Sequence, residues 1–187
     1  MHLRLGSCIV RDWAAEDLPS LVRHANNWSI WINLRDRFPH PYTEADGRAF
    51  LSHVTERETQ TVWAVEVDGE AAGGIGLVLM SDVERVSAEV GYWLGEMYWG
   101  RGVMTDALKG VTSEAFRRFQ LTRIFALPFA DNYASIKVLE KAGYALEGRL
   151  PQSAIKNGIV RDQLQFGAYK GRWPASAAAG GFGGVSP

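Results

Sequence analysis

The sequence predicts an α/β domain built on one mixed, mostly antiparallel sheet with helices on both faces. Three observations carry this. Apolar residues recur with period 2 in some runs and with helical spacing in others, and the two kinds alternate along the chain. Two turn dipeptides, Asp68-Gly69 and Asn157-Gly158, adjoin extended runs, as antiparallel hairpins require. One long extended run, Val86 to Leu94, passes through Gly100-Arg101-Gly102 into a helical stripe.

Taken in order, Cys8 to Trp13 is a short apolar run expected as a first strand. Leu18, Leu21, Val22 and Ala25 then follow at helical spacing, with Pro19 tolerated in the first turn and Asn26-Asn27 ending the helix. Residues 28–42 mix aromatics with prolines and charges and give no clear period. Thr43 with Asp46 three residues on resembles a capping box, and Phe50, Leu51 and Val54 continue on one helix face. Trp63, Val65 and Val67 alternate into the Asp68-Gly69 turn, and Ile75 to Met80 forms the returning strand. Val86, Ala88, Val90, Tyr92 and Leu94 alternate with Ser87, Glu89, Gly91 and Trp93. Met104, Leu108, Val111, Ala115 and Phe119 mark one stripe of the next helix. Arg123 to Pro128 is a strand, Asn132 to Ala142 a helix closed by Gly143, and Asn157-Gly158 turns a last hairpin whose second strand holds Leu164, Phe166 and Ala168. The order is β-α-α-β-β-β-α-β-α-β-β.

The 187 residues, 47% hydrophobic and 22% charged, suit one globular domain, expected over residues 1–173. Residues 174–187 are only Pro, Ala, Gly, Ser, Phe and Val and are expected to be a disordered tail. A net charge of -1 gives no bulk electrostatic reason to bind nucleic acid or a membrane surface. There is no apolar N-terminal run of signal-peptide type, and Ala71 to Met80 is too short to span a bilayer, so a cytoplasmic protein is expected. The single cysteine, Cys8, excludes an internal disulfide and a cysteine zinc cluster. His2, His24, His40 and His53 lack metal spacing, and no metal is expected.

The Gly100-Arg101-Gly102 turn opens a helix. A helix N-terminus offers unpaired N–H groups and a partial positive charge, and glycines let an anion approach the backbone. The N–H groups from Gly100 through Arg101, Gly102, Val103 and Met104 to Thr105 are therefore candidates to hold a pyrophosphate, with Arg101 adding charge. A tight turn with no ligand explains the same two glycines. The loop is neither a P-loop, since no Gly-Lys-Ser/Thr follows, nor a dinucleotide fingerprint, since the third glycine is absent. In the next strand–helix unit, Asn132 is a natural N-cap and Gly143 a natural C-terminal cap, with Ser135, Lys141 and Tyr144 between and beside them.

Together these segments resemble the GCN5-related N-acetyltransferase (GNAT) family, whose acyl-CoA loop is (Arg/Gln)-x-x-Gly-x-(Gly/Ala). Met97 replaces the first position. The sequence is similar in particular to the ribosomal-protein alanine acetyltransferase-like branch. The marks are Phe38-Pro39-His40-Pro41-Tyr42-Thr43, the Glu89 to Leu94 segment, Tyr98 to Gly102, Asn132 with Ser135 followed by Leu139 to Tyr144, and Asn157-Gly158 followed by Asp162. The resemblance covers roughly residues 5–172. It implies the GNAT fold with a central V-shaped splay, and acetyl-CoA or another short acyl-CoA as co-substrate.

Acyl transfer from a thioester to an amine needs a neutral amine, a stabilised oxyanion and a proton or dipole for the leaving thiolate. The resemblance implies that the strand from Val86 to Leu94 splays from its neighbour, helped by a bulge for which Gly91 is the candidate, and that N–H groups near Trp93 and Leu94 face the thioester. Glu89, opposite Val90 and Tyr92 on that strand, is the candidate to take the amine proton, through water or directly, or to bind a cationic amine. Many relatives carry a tyrosine acid where this chain has Leu139, which leaves Ser135 as the candidate for a hydrogen bond to the CoA sulfur, beside its ordinary role in a helix turn. Trp31, Phe38 and Tyr42 lie in the region that by resemblance forms a wall of the acceptor site, although aromatics also serve there as core.

The expected reaction is therefore direct transfer of an acetyl group to a primary amine, without an acyl-cysteine. The acceptor is a protein N-terminal α-amine, or a small amine such as a polyamine, amino acid or antibiotic. A non-catalytic acyl-CoA sensor would keep Gly100 and Gly102 but need neither Glu89 nor Ser135. Relatives often dimerise, so a homodimer is a further expectation.

Overall fold

The structure is a computed structural model that describes residues 1–56 and 59–174. The expected tail from residue 175 onward lies outside the described residues. The strands are β1 (His2–Arg4), β2 (Ile9–Arg11), β3 (Val62–Val67), β4 (Glu70–Leu79), β5 (Ser87–Leu94), β6 (Arg123–Ala126), β7 (Ala145–Lys156) and β8 (Ile159–Tyr169). The α-helices are α1 (Leu18–Ala25), α2 (Trp28–Trp31), α3 (Glu44–Thr55), α4 (Val103–Arg118) and α5 (Tyr133–Ala142). One eight-stranded sheet runs β1-β2-β3-β4-β5-β6-β8-β7. Only β5 and β6 pair in parallel, and the other neighbours are antiparallel.

Local chemistry sets the elements. Asp68 (φ 53°) and Gly69 (φ 84°) both take the left-handed conformation that a two-residue hairpin turn needs, so β4 begins at Glu70 rather than Ile75. Asn157 and Gly158 do the same between β7 and β8. Thr43 accepts from Asp46 N–H while Asp46 accepts from Thr43 N–H, completing the capping box of α3. Gly143 closes α5 at φ 98°.

Period-2 burial splits the core across the sheet. Trp63, Val65, Ile75, Ala88 and Val90 pack beneath α4 and α5 in the larger cluster, with Leu108, Val111 and Leu139. Ala64, Ala71 and Trp13 face the other side with Leu21 of α1 and Leu51 and Val54 of α3, and Trp93 packs against them. The stripe expected on α4 is buried at Met104, Leu108, Val111 and Ala115, while Phe119 lies just past its end.

Three expectations need correction. The first strand is not Cys8 to Trp13 but Ile9–Arg11, preceded by β1 on the sheet edge. Residues 28–42 hold the one-turn helix α2, capped by the Asn27 side chain on Ile30 N–H at 3.2 Å. Gly91 is not a bulge: β4 and β5 pair without interruption from Gly73↔Leu94 to Leu79↔Ala88. The register shifts fall at Val65/Glu66, Leu146/Gly148 and Leu150/Ala154 instead.

Candidate active site

The sheet opens between β5 and β6. Their pairing covers only Ser87↔Arg123 to Glu89↔Phe125. Beyond β6 the chain follows β8: Leu164 N–H donates to Pro128 C=O, Ala130 N–H donates to Asp162 C=O, and Phe129 bridges to Gln163. The last half of β5 is thereby left with one unpaired edge.

Parity decides which groups line that edge. Met80 N–H donates to Ser87 C=O, and Gly95 N–H donates to Ala72 C=O, so odd-numbered residues of β5 point their backbone groups at β4. Even-numbered residues point the other way, as Val86 C=O shows by accepting from Thr122 N–H. Val90, Tyr92 and Leu94 therefore face the opening with their backbone groups. Trp93 does not: its N–H belongs to the β4 ladder opposite Gly74, which corrects the expectation that Trp93 and Leu94 both face a thioester. Leu94 C=O is already taken by the Trp99 indole N–H at 2.7 Å, which leaves the Leu94 N–H on the open edge.

The link from β5 to α4 is pinned before it reaches the glycines. Tyr98 is buried and donates its phenol O–H to Glu70 at 2.8 Å, while Glu96 accepts from Asn27 at 2.7 Å. Glu70 also holds His24 at 2.9 Å and Arg23, and these partners keep its carboxyl at about 2. The guanidinium of Arg101 lies 5.3 Å from the centre of the Tyr98 ring. Past these anchors, Gly100 (φ 76°) and Gly102 (φ 81°) adopt left-handed conformations, and a Cβ built at either meets nothing within 4 Å. The space in front of the loop is open. Asp106 N–H makes the first backbone bond of α4, to Gly102 C=O, so the N–H groups of Val103, Met104 and Thr105 form the orphan first turn. This open glycine cradle at a helix N-terminus suits a pyrophosphate.

Two candidate reacting groups flank β5 from opposite faces. Glu89 is one-fifth exposed and ion-paired with Arg35, from the loop after α2. On the other face Tyr92 reaches α5, where its Oη lies 2.8 Å from Ser135 Oγ. Asn132 caps α5 by accepting from Ser135 N–H at 3.1 Å. Leu139 is fully buried in the core, and Lys141 is exposed in the last turn of α5. Neither the Arg35–Glu89 pair nor the Tyr92–Ser135 pair is foreseen by the sequence.

The three aromatics expected to line an acceptor wall separate. Tyr42 is core, packed with α1 and α3, and burial pushes its phenol up to about 12. Phe38 packs between it and Trp93, tilted against the first ring and edge-on to the second, with ring centres 5.0 and 5.8 Å away. Trp31 lies against Trp28 and His40, and its ring carries the buried Lys156 ammonium at 3.9 Å. Lys156 also binds Asp36 at 2.9 Å, while Arg161 donates to Ile32 C=O at 3.0 Å, so the β7–β8 hairpin is fastened to the segment after α2. Beside this junction an open cavity of about 470 Å³ is lined by Ile32, Tyr133, Lys156 and Arg161 among others.

Cys8 is buried under α4, its Sγ 3.8 Å from Val103 C=O, and burial raises its thiol to about 11. A thiol so protonated and enclosed is a poor nucleophile. Cys8→Ala is expected to keep full turnover with no acyl-enzyme by intact mass. An acylated Cys8 together with an inactive variant would overturn direct transfer.

A sheet open between two strands, with a free strand edge leading into a glycine cradle at a helix N-terminus, can hold an extended ligand that carries an anionic group. Comparison with known proteins makes the assignment specific. The acetyltransferase (GNAT) domain family matches residues 8–145, and the chain belongs to that family. It is 31% identical over 90 residues to a ribosomal-protein-serine acetyltransferase of Escherichia coli (strain K12), covering 47% of this chain and 50% of that protein. It is 27% identical over 168 residues to the spermidine N(1)-acetyltransferase of the same organism, covering 89% and 88%. The fold matches a RimL ribosomal L7/L12 alpha-N-protein acetyltransferase in complex with coenzyme A, with a TM-score of 0.80 at 20% identity, covering 90% of this chain and 98% of that one. Three Bacillus subtilis chains named as N-acetyltransferases align over 57%, 58% and 50% of their length, so the chain spans about half the length of several relatives it matches. No helix among the described residues is long and apolar enough to cross a membrane.

Proposed function

We propose that the chain transfers a short acyl group, acetyl first of all, from acyl-CoA to the α-amine at a protein N-terminus by direct attack. The carrying observation is the placement of Glu89 and Ser135 on opposite faces of β5, the interior strand whose second half is unpaired on the β6 side. An acyl thioester lying along that edge would present its carbonyl carbon to one face and its sulfur to the other. The N–H of Leu94 and the even-numbered backbone of β5 then bind the extended arm, and the cradle from Gly100 to Thr105 takes the pyrophosphate, with Arg101 and the exposed Lys141 adding positive charge. Glu89 takes up the amine proton, directly or through water, while Arg35 holds its carboxylate in place. Ser135 donates to the sulfur as the C–S bond breaks. Trp31 and Phe38 serve as the acceptor-side aromatics.

We take the open cavity beside Tyr133 as the acceptor's approach, and its charge favours a single-amine acceptor over a polyamine. Of the carboxylates there, Asp131 is held by Arg161 at 2.5 Å and Asp162 by Arg149 at 2.6 Å, so neither is free to receive a second cationic amine. A polyamine would have to displace those arginines. The small-amine reading retains support from the spermidine acetyltransferase relative. The test is mass spectrometry of N-terminal peptides, polyamines and amino acids incubated with the protein and acetyl-, propionyl- or succinyl-CoA. Acylated peptide α-amines are the expected product. Preferential acylation of spermidine would overturn the acceptor assignment. Acyl-CoA binding without any product would leave a sensor.

A further inference from the structure

Ser135 sits in the first turn of α5, where a serine hydroxyl ordinarily bonds back to its own helix. Here its Oγ is met by a side chain from β5, Tyr92 Oη at 2.8 Å, which also lies 3.3 Å from the Ser135 carbonyl oxygen. Two hydroxyl hydrogens thus face three acceptor oxygens. In one arrangement Tyr92 donates to Ser135 Oγ, and the serine hydrogen is free to point elsewhere. In the other Ser135 donates to Tyr92 Oη, Tyr92 donates to the carbonyl, and the serine has no hydrogen left to give. Only the first arrangement serves a departing sulfur. Both arrangements use the 2.8 Å contact, and the second gains only a 3.3 Å contact to the carbonyl, long for an O–H···O bond. Burial holds the Tyr92 phenol far above its ordinary range, so it stays a neutral donor.

We propose that Tyr92 is a positioning residue, which donates to Ser135 Oγ and so turns the serine hydrogen into the opening between β5 and β6. This rests on the reading of Ser135 as the donor to sulfur. When the C–S bond breaks, its electron pair stays on sulfur and accepts the serine hydrogen bond. The proton released by the attacking amine, taken up at Glu89 or water, balances the charge. The serine therefore does not have to ionise, and neither does the buried phenol.

The experiment is a double-mutant cycle on the full chain with Ser135→Ala, Tyr92→Phe and the pair, following kcat, KM and acetyl-CoA affinity. Ser135→Ala is expected to lower kcat roughly ten- to a hundredfold. Tyr92→Phe is expected to lower it about five- to tenfold, with acetyl-CoA affinity within about twofold of the parent. The double variant should be no slower than Ser135→Ala alone, because Tyr92 acts only through the serine. A merely structural tyrosine would give additive losses, and additivity overturns the proposal. So does full kcat in Tyr92→Phe beside a slow Ser135→Ala, a result that leaves the serine assignment standing. Full activity in Ser135→Ala removes the serine assignment and the proposal together. If Tyr92→Phe does not fold, fluorotyrosine at position 92 decides. A more acidic phenol donates more strongly, so kcat should rise with fluorination at constant KM, and a flat response overturns the proposal.

Discussion

Glutamine at position 89 is expected to lower kcat by about 10²–10⁴-fold below neutral pH, the usual span of general-base catalysis, and by progressively less as pH rises. Glu89→Gln keeps the shape of the side chain and one acceptor oxygen but cannot hold a proton. A protein α-amine titrates at about 7.7–8.0, so below that range most of the acceptor is cationic and must lose a proton before it attacks. Each unit of rising pH supplies about tenfold more free amine without help, until the amine's own pKa is passed, and the deficit of the variant shrinks accordingly. The pH–rate profile of kcat for parent and variant checks this. The Arg35 partner supplies a second arm, since Arg35→Met removes the ion pair while leaving the proton acceptor in place. If Glu89 only anchors the loop after α2, the two variants will show the same loss at every pH. A drop well under tenfold in Glu89→Gln assigns the residue to binding or structure.

Gly102→Glu is expected to weaken acetyl-CoA binding by about ten- to a thousandfold, of which only part is charge repulsion. The residue sits at φ 81°, where an ordinary L-residue costs about 1–2 kcal/mol, and the orphan first turn of α4 follows directly. That strain falls on the fold, free or bound. The carboxylate falls on the ligand, because the space in front of Gly102 is open and the side chain would extend into it. Gly102→Ala separates the two effects: it carries the strain with no charge and fills little of the cradle. Calorimetry on both folded variants should show the alanine losing much less affinity than the glutamate. Equal affinities in parent and Gly102→Glu would remove the pyrophosphate from this loop.

What the sequence discloses about this protein is what local chemistry writes. Asp68-Gly69, Asn157-Gly158, Thr43 with Asp46, and Gly143 each encode a backbone conformation within a few residues, and each stands where expected. The burial stripe of α4 and the alternation of β3 and β5 follow in the same way from period alone. The three-residue β1 is too short to show a period, and β7 conceals its own by carrying Pro151 and two register shifts. From the sequence Gly91 reads as a bulge, because glycine in a strand often marks one. It is exposed, with open space over its Cα, and the strand beneath it stays in register. The site pairs are hidden for a different reason. Arg35 and Glu89 are 54 residues apart, and Tyr92 and Ser135 are 43 apart. Nothing local joins them, and they meet only because β5 lies between the segment after α2 on one face and α5 on the other.

The open edge of β5 also bears on traffic. A gap between two strands has two mouths, one on each face of the sheet, and the groups assigned to amine and sulfur stand at different mouths. After transfer, the severed products need not pass through one another's doorway. On the proposed reading the acylated product would withdraw past Arg35 and Phe38 independently of the spent carrier at the first turn of α4, in either order. For the acceptor proposed above, a long polypeptide would have to insert only its leading residue while the remainder stayed outside.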